Sequence, residues 1–295
     1  MEYELYAKKL VDERDNIIAA YGYGSGFIHQ SGYKSDTKKS LDLIFVVDDI
    51  KKWNKKNFIA NKKDYSKYTK AVFKITPKFI LKSNTSVIYN VVTSKYEHDF
   101  KYGLIEKEDF LRDLYNWHHF YICGRTQKPI YTIKGDEELD EAIKYNRKIA
   151  LISSLIILNK EKISLDELLE QICKLSYQGD VRTLFVENPN KIKNIVKGSK
   201  QALMNIYSLD EYIKIDGEVV FVNLKKVYED IGILPKAFQS KFKGNCDEYG
   251  KVIKRVLTLK NLRESIAHPV KQFYISGFGT CKDYLKEKMK KKNIK

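Results

Sequence analysis

The chain has 295 residues, 43% of them hydrophobic and 31% charged, enough apolar surface for one large or two modest packed domains and too much for a disordered or low-complexity chain. Its 54 basic and 38 acidic residues leave a formal charge of +16, which favours polyanions (nucleic acid, an anionic bilayer or a phosphorylated substrate) unless it reflects only a lysine-rich composition. Four scattered cysteines, Cys123, Cys173, Cys246 and Cys281, form no CxxC pair and so indicate neither a zinc knuckle nor a disulfide framework.

Residues 2–20 read as an amphipathic helix, with Leu5, Leu10 and the Ile17-Ile18 pair at roughly helical spacing. It leads into Tyr21-Gly22-Tyr23-Gly24-Ser25-Gly26-Phe27, where alternating glycines leave the backbone amides open to close approach by a polyphosphate. A polar segment over 27–40 ends in Lys38-Lys39, and Leu41-Asp42-Leu43-Ile44-Phe45-Val46-Val47 then reads as a buried strand carrying one acid at its start. Residues 49–57 are expected to be helical, 87–92 and 99–105 to be neighbouring strands, 106–122 a further helix and 129–133 a last strand. Together these elements give an α+β unit over residues 1–135.

From Asp136 the texture becomes helical. A helix is expected over 136–158, and Ser164-Leu165-Asp166-Glu167 is a capping box that opens another, ending near Leu175. Pro189 precedes a lysine-rich helix over 190–207, and an apolar strand pair spans Tyr212 to Leu224. Helices broken by one small hairpin suggest a winged-helix-like domain over 136–280, followed by a basic helix over 281–295 with Tyr284, Leu285 and Met289 on one side. The longest apolar stretch, Ile149 to Leu158, is about half a membrane span. The acidic, helix-like start shows no signal or transit pattern, so a soluble or peripheral protein is expected.

The Gly-Ser loop followed by Asp42 on a strand has the outline of the polymerase-β-like nucleotidyltransferases. The order Tyr23-Gly24-Ser25-Gly26-Phe27, Gln30, Asp42, Trp53 and Asn57 resembles the mitochondrial phosphatidate cytidylyltransferases, the translocator assembly and maintenance family. Tyr102-Gly103, Asn116-Trp117, Gly124-Arg125, Gln127-Lys128-Pro129, Leu175-Ser176-Tyr177, Gly179-Asp180, Arg182 and Asn194 to Lys197 extend the resemblance in order. It runs more faintly through Leu234-Pro235-Lys236 to Pro269, Gln272 and Gly277. The resemblance implies a nucleotidyltransferase-like mixed sheet with helices, a winged-helix-like second domain, and synthesis of CDP-diacylglycerol and pyrophosphate from CTP and phosphatidic acid with Mg²⁺.

On that reading Gly24, Ser25 and Gly26 cradle the β- and γ-phosphates, while Lys38 or Lys39 either adds a charge there or is simply solvated. Asp42 is the best metal ligand, because Mg²⁺ held jointly by carboxylate and phosphates suits an acid at the start of an apolar strand. The superfamily outline expects a second acid two residues on, where this chain has Ile44; Asp36, Asp48 and Asp99 are the substitutes, with Asp48 about 20 Å along the strand. Arg125, expected at a strand start, suits a bidentate phosphate contact or a surface ion pair. The resemblance makes Asp180 and Arg182 candidates for the inter-domain cleft, whereas spacing alone suits a loop salt bridge. Lys191, Asn194 and Lys197 make a polar stripe that is either solvated or turned toward the phosphate of a lipid or nucleotide. His118 and His119, adjacent on the expected helix, are poor joint metal ligands.

CTP, phosphatidic acid and an anionic membrane surface are therefore the expected partners, with no nucleic acid. A bacterial form at the inner face of the cell membrane is expected, or the matrix side of the mitochondrial inner membrane in a eukaryote. The alternatives are a nucleotidyltransferase with a soluble acceptor and a nucleic-acid-binding protein with a degenerate transferase domain, the latter motivated by Ile44.

Overall fold

Leu41–Val47 (β2) owes its nearly unbroken apolar sequence to burial on both faces of a sheet. The computed structural model describes residues 2–28, 40–65, 71, 87–92, 97–181, 188–207 and 211–268. With Ala19–Tyr23 (β1), Ile88–Val92 (β3), Phe100–Glu106 (β4) and Tyr131–Lys134 (β5), β2 forms a five-stranded sheet of order β3-β4-β2-β1-β5. β2 runs parallel to β4 and antiparallel to β1, which makes the sheet mixed.

One sheet face packs Leu41, Leu43, Phe45 and Val47 against Glu2–Asp12 (α1) and Ile50–Ala60 (α2). The first of these helices is shorter than the helix expected over 2–20. It stops at Asp12, and β1 begins at Ala19. The strand escaped notice because Ala19 and Tyr21 are buried on one face and Ala20 on the other, leaving no polar alternation to read. Asp49 starts α2 by accepting from the Lys52 amide at 2.9 Å, and Trp53 Nε1 donates to the Asp15 carbonyl at 2.8 Å.

Under this face lies a buried ion pair. Arg14 Nη2 meets Asp64 Oδ2 at 2.9 Å with both side chains fully buried, and the guanidinium stands 5.5 and 5.6 Å from the Phe100 and Tyr102 rings. Tyr102 also donates its hydroxyl to Asp64 at 2.8 Å.

The other sheet face, with Tyr21, Ile44, Val46 and Ile105, shares one core with the C-terminal part of the chain. Its spine is Glu137–Leu158 (α4), capped by Asp136, which accepts from the Leu139 amide at 3.1 Å. The Ile149 to Leu158 stretch is this core helix, packed with Leu165–Lys174 (α5) and Lys191–Tyr207 (α6). Ser164 caps α5 by accepting from the Glu167 amide at 3.1 Å, as the capping box predicts. Lys162–Ser164 (β6), Ile213–Asp216 (β7) and Val219–Val222 (β8) form a second sheet of order β6-β8-β7, one strand more than the expected hairpin. Leu224–Glu229 (α7), Lys236–Gln239 (α8) and a helix over 249–268 (α9) complete the described chain. The fold is α+β, as expected, and no helix among the described residues is long and apolar enough to cross a membrane. The basic helix expected over 281–295 lies outside the described residues.

Asp64→Ala is expected to lower the free energy of unfolding by about 3–5 kcal/mol, because it leaves the Arg14 charge buried without its carboxylate. Urea unfolding followed by tryptophan fluorescence checks this.

Candidate active site

The candidate site is built where β1, β2 and β4 present one row of side chains: Tyr23 opposite Asp42, and Asp42 opposite Lys101. Lys101 Nζ meets Asp42 Oδ1 at 2.8 Å, and both side chains keep some exposure, 21% and 24%. Directly after Tyr23 the chain turns through a single 3-10 turn, Gly24–Gly26. Gly24 has φ +73, and a Cβ there would fall 2.8 Å from Asp42 Oδ2, so both the backbone conformation and the approach of the carboxylate require glycine. The Gly-Ser turn and the strand-borne acid are thus neighbours, with Ser25 half-buried between Gly24 and Gly26.

Facing this row is the segment that follows Lys107–Asn116 (α3 in chain order, before the spine helix α4). Helix α3 ends at Asn116, before Trp117, which is left-handed with φ 48, so the expected helix over 106–122 runs six residues too far at its C-terminal end. The reason is Asp113. Its carboxylate accepts the amides of His119, Phe120, Tyr121, Ile122 and Cys123 at 2.8, 2.8, 3.0, 2.7 and 3.3 Å, folding the chain back over the helix end. Asn146 of α4 fixes the same turn by accepting from Trp117 Nε1 at 2.7 Å and donating to the Cys123 carbonyl at 3.0 Å.

Arg125 therefore lies in a one-turn helix, Cys123–Thr126, and not at the start of a strand, which begins only at Tyr131. Its guanidinium stacks 3.6 Å from the Tyr121 ring, donates to the Tyr121 carbonyl at 2.7 Å and stands 5.5 Å from the Tyr23 ring. Tyr23 thus lies between Asp42 and Arg125. Burial, then the Asp42 charge, pushes the Tyr23 hydroxyl pKa up, and Arg125 opposes them.

The far wall comes from the C-terminal part. A Cβ on Gly124 would lie 2.8 Å from Ser176 Cβ, so the turn after α5 packs directly on the Arg125 helix. Lys128 Nζ donates to the Gly124 carbonyl and to Ser176 Oγ, the latter at 2.7 Å. Lys128 and Lys191 stand 5.4 and 5.2 Å from the ring of Tyr177. Burial pushes the Lys128 ammonium pKa down; Tyr177 and Cys173 oppose this, and the charges of Arg125 and Lys191 add smaller downward contributions. Three cations held this close repel one another, and an anion among them relieves that repulsion.

The structure brings together Gly24, Ser25, Gly26 and Asp42 on the sheet, with Arg125 against Tyr23 and Lys191 against Tyr177. Asp180 is buried in the same turn as Tyr177, whose carbonyl accepts the Asp180 amide at 3.1 Å. Along α6, Asn194 is half-buried and Lys197 exposed. Lys38, Lys39 and Arg182 lie outside the described residues.

Ile44 is a core residue of the sheet. Among the candidate second acids, Asp36 is outside the described residues, Asp48 is exposed beyond the far end of β2, and Asp99 is at Asp42's end, its carbonyl accepting from the Leu41 amide at 2.9 Å. No group of three His, Cys, Asp or Glu side chains gathers around a metal position among the described residues. The donor set fits a hard divalent cation shared between Asp42 and substrate oxygens, and does not fit a cage made by the protein alone. His118 and His119 sit in the turn after α3, and His119 Nδ1 meets Glu264 Oε1 at 3.4 Å.

Sequence reasoning missed Lys101, Lys128 and Asp113 as site-building residues. Lys101 stands out only once its register with Asp42 is known, and Asp113 only once the chain is seen to fold back; Lys128 was already visible in Gln127-Lys128-Pro129.

A family model described as mitochondrial phosphatidate cytidylyltransferase matches residues 7–247. Three curated relatives carry that same description. The chain is 38% identical to one from Schizosaccharomyces pombe over 190 residues, covering 63% of this chain and 47% of that protein. It is 30% identical to one from Caenorhabditis briggsae over 264 residues, 86% of this chain and 80% of that one. It is 34% identical to one from Xenopus laevis over 252 residues, 80% and 73% of the two chains. The chain thus spans about half the length of the fission-yeast relative and most of the other two.

Asp113→Ala is expected to destabilise the protein by about 3 kcal/mol, since five amides lose a charged acceptor, and Asp113→Asn by less. Urea unfolding of both variants measures this, and equal losses would show that the charge is immaterial.

Proposed function

The chain belongs to the mitochondrial phosphatidate cytidylyltransferase family, and from that membership we propose that it transfers a cytidylyl group from CTP to phosphatidic acid, yielding CDP-diacylglycerol and pyrophosphate. The observation that carries this reading is the meeting of the Gly24–Gly26 turn and Asp42 with the cations Arg125, Lys128 and Lys191 across Tyr23 and Tyr177. Such a site has one wall suited to a triphosphate and another suited to a second phosphate.

In the proposed reaction an oxygen of the lipid phosphate attacks the α-phosphorus of CTP. A new oxygen–phosphorus bond forms as the α–β bridging bond breaks, and pyrophosphate carries away the electron pair. A phosphate monoester has its second pKa near 6, so the acceptor is already largely dianionic at neutral pH and needs no strong base. Positioning and charge neutralisation are what the protein has to supply.

The Gly24 to Gly26 backbone and the Ser25 hydroxyl would hold the β- and γ-phosphates, with Lys38 or Lys39 as an additional charge. Arg125 presents a planar guanidinium already oriented by Tyr121, suited to two phosphate oxygens at once. Lys128 and Lys191, with Asp180, Arg182, Asn194 and Lys197, would hold the lipid phosphate. Mg²⁺ is the cofactor that fits, and Asp42 would hold it where it would supply positive charge to the triphosphate; Lys101 orients the Asp42 carboxylate.

The absence of a spanning helix among the described residues is compatible with a protein that meets its lipid from the bilayer surface. The relatives' description is mitochondrial, which gives the bacterial assignment no support and favours an organelle membrane. The same description over residues 7–247 favours a lipid acceptor above a soluble acceptor or nucleic-acid binding.

Pyrophosphate release is expected to require CTP, phosphatidic acid and Mg²⁺ together in mixed micelles, with ATP, GTP and UTP much poorer. Asp42→Asn is expected to lower turnover by at least about 100-fold with an unchanged melting temperature. Release from CTP without phosphatidic acid, or full activity in Asp42→Asn, would contradict the assignment.

A further inference from the structure

Helix α9, residues 249–268, carries its polarity inverted over its C-terminal half. The face turned into the protein holds Asn261, Glu264 and Ser265, all buried. Asn261 Nδ2 donates to the carbonyls of Leu175 and Gln178 at 2.8 and 2.9 Å, and the Tyr121 hydroxyl hydrogen-bonds His268 Nε2 at 3.1 Å. The outward face exposes Leu259, Leu262 and Ile266, which are 55%, 38% and 54% exposed. Their spacing of i, i+3 and i+7 puts all three on one side of the helix, with exposed Arg255 one turn before Leu259 and exposed Arg263 one turn after it.

A surface helix in water ordinarily shows polar residues outward and apolar residues inward. Single exposed aliphatics are common and need no explanation, but here three of the large hydrophobics exposed among the described residues form one stripe on one helix. The arrangement suits a helix whose outer face meets an apolar medium.

We propose that the outward face of α9 docks on an anionic lipid bilayer, with Leu259, Leu262 and Ile266 entering the interfacial layer and Arg255 and Arg263 meeting lipid phosphates. Charge complementarity favours this occupant. The apolar stripe is accompanied by two exposed arginines, Arg255 one turn before it and Arg263 within its length, in a chain of formal charge +16, the pattern of an interfacial helix on anionic lipid. Location agrees. Through Asn261 the helix holds the Leu175 to Gln178 turn, which carries Ser176 and Tyr177, the contacts of Lys128 and Lys191. The helix is therefore packed against the wall assigned to the lipid phosphate, and the choice of a bilayer above a protein partner rests on that assignment. The proposal makes binding depend on the aliphatic side chains of α9.

The test is co-sedimentation of the full-length protein with vesicles of phosphatidylcholine, alone or mixed with phosphatidylglycerol, without nucleotide. The triple variant Leu259→Ser/Leu262→Ser/Ile266→Ser is expected to bind the mixed vesicles at least about tenfold more weakly than the wild type. Arg255→Gln/Arg263→Gln is expected to reduce the preference for phosphatidylglycerol and the salt sensitivity of binding. Circular dichroism and melting curves should match the wild type, because the substituted side chains are exposed. Unchanged vesicle binding by the triple variant would overturn the proposal. So would a wild-type dimer in light scattering that the triple variant converts to monomer, since the stripe would then be covered by a second copy. The vesicles contain neither phosphatidic acid nor CTP, so a failure to bind is distinct from a failure to transfer.

Discussion

The carboxylate of Asp113 is the point on which the candidate site depends. By accepting five consecutive backbone amides it ends helix α3 and holds residues 119–123 folded back over it. The turn contains two left-handed residues with side chains, Trp117 and Phe120. Each costs on the order of 1–3 kcal/mol and persists only where surrounding contacts enforce it. Asp113 from below and Asn146 from the spine helix provide that enforcement. What they secure is the place of Tyr121 and Arg125, against the sheet through Tyr23 and beside the Lys128 that reaches Ser176.

The electrostatics of the site are unequally divided. On the sheet a single carboxylate, Asp42, is matched by Lys101, while Arg125, Lys128 and Lys191 gather across Tyr23 and Tyr177. The lowered Lys128 pKa reflects burial first; Tyr177 and Cys173 oppose it, and the cations Arg125 and Lys191 add smaller contributions in the same direction as burial. A region that concentrates positive charge in this way favours a phosphate, unlike the buried ion pair of Arg14 with Asp64, where charge already meets charge. Ile44, where a second acid was expected, instead belongs to the hydrophobic core.

Much of this architecture was legible in the sequence, for reasons that differ by element. Leu41–Val47 was readable because an apolar run broken only by Asp42 and bounded by polar residues has few other fates, and Glu137–Leu158 and Leu165–Lys174 because Asp136 and Ser164 announce their starts. β1 was absorbed into the preceding helix since burial on both faces erases its alternation. The end of α3 was misread because local propensity continues through Trp117, and only the tertiary reach of Asp113 stops it. Of the site, the Gly-Ser turn and Asp42 declared themselves by residue type. Of the cationic wall, Arg125 and Lys191 were named as phosphate candidates but Lys128 was not, because its meeting with Lys191 at Tyr177 is a tertiary contact between residues far apart in sequence.

The central claim is that this site joins the α-phosphate of CTP to a lipid phosphate, and it is tested most directly by following radioactive phosphorus. Incubated with phosphatidic acid and Mg²⁺, CTP labelled at the α-phosphate is expected to transfer its label to the organic phase as CDP-diacylglycerol. CTP labelled at the γ-phosphate should leave its label in aqueous pyrophosphate. An α-label that stays in the aqueous phase, or a γ-label that enters the lipid, would contradict the account.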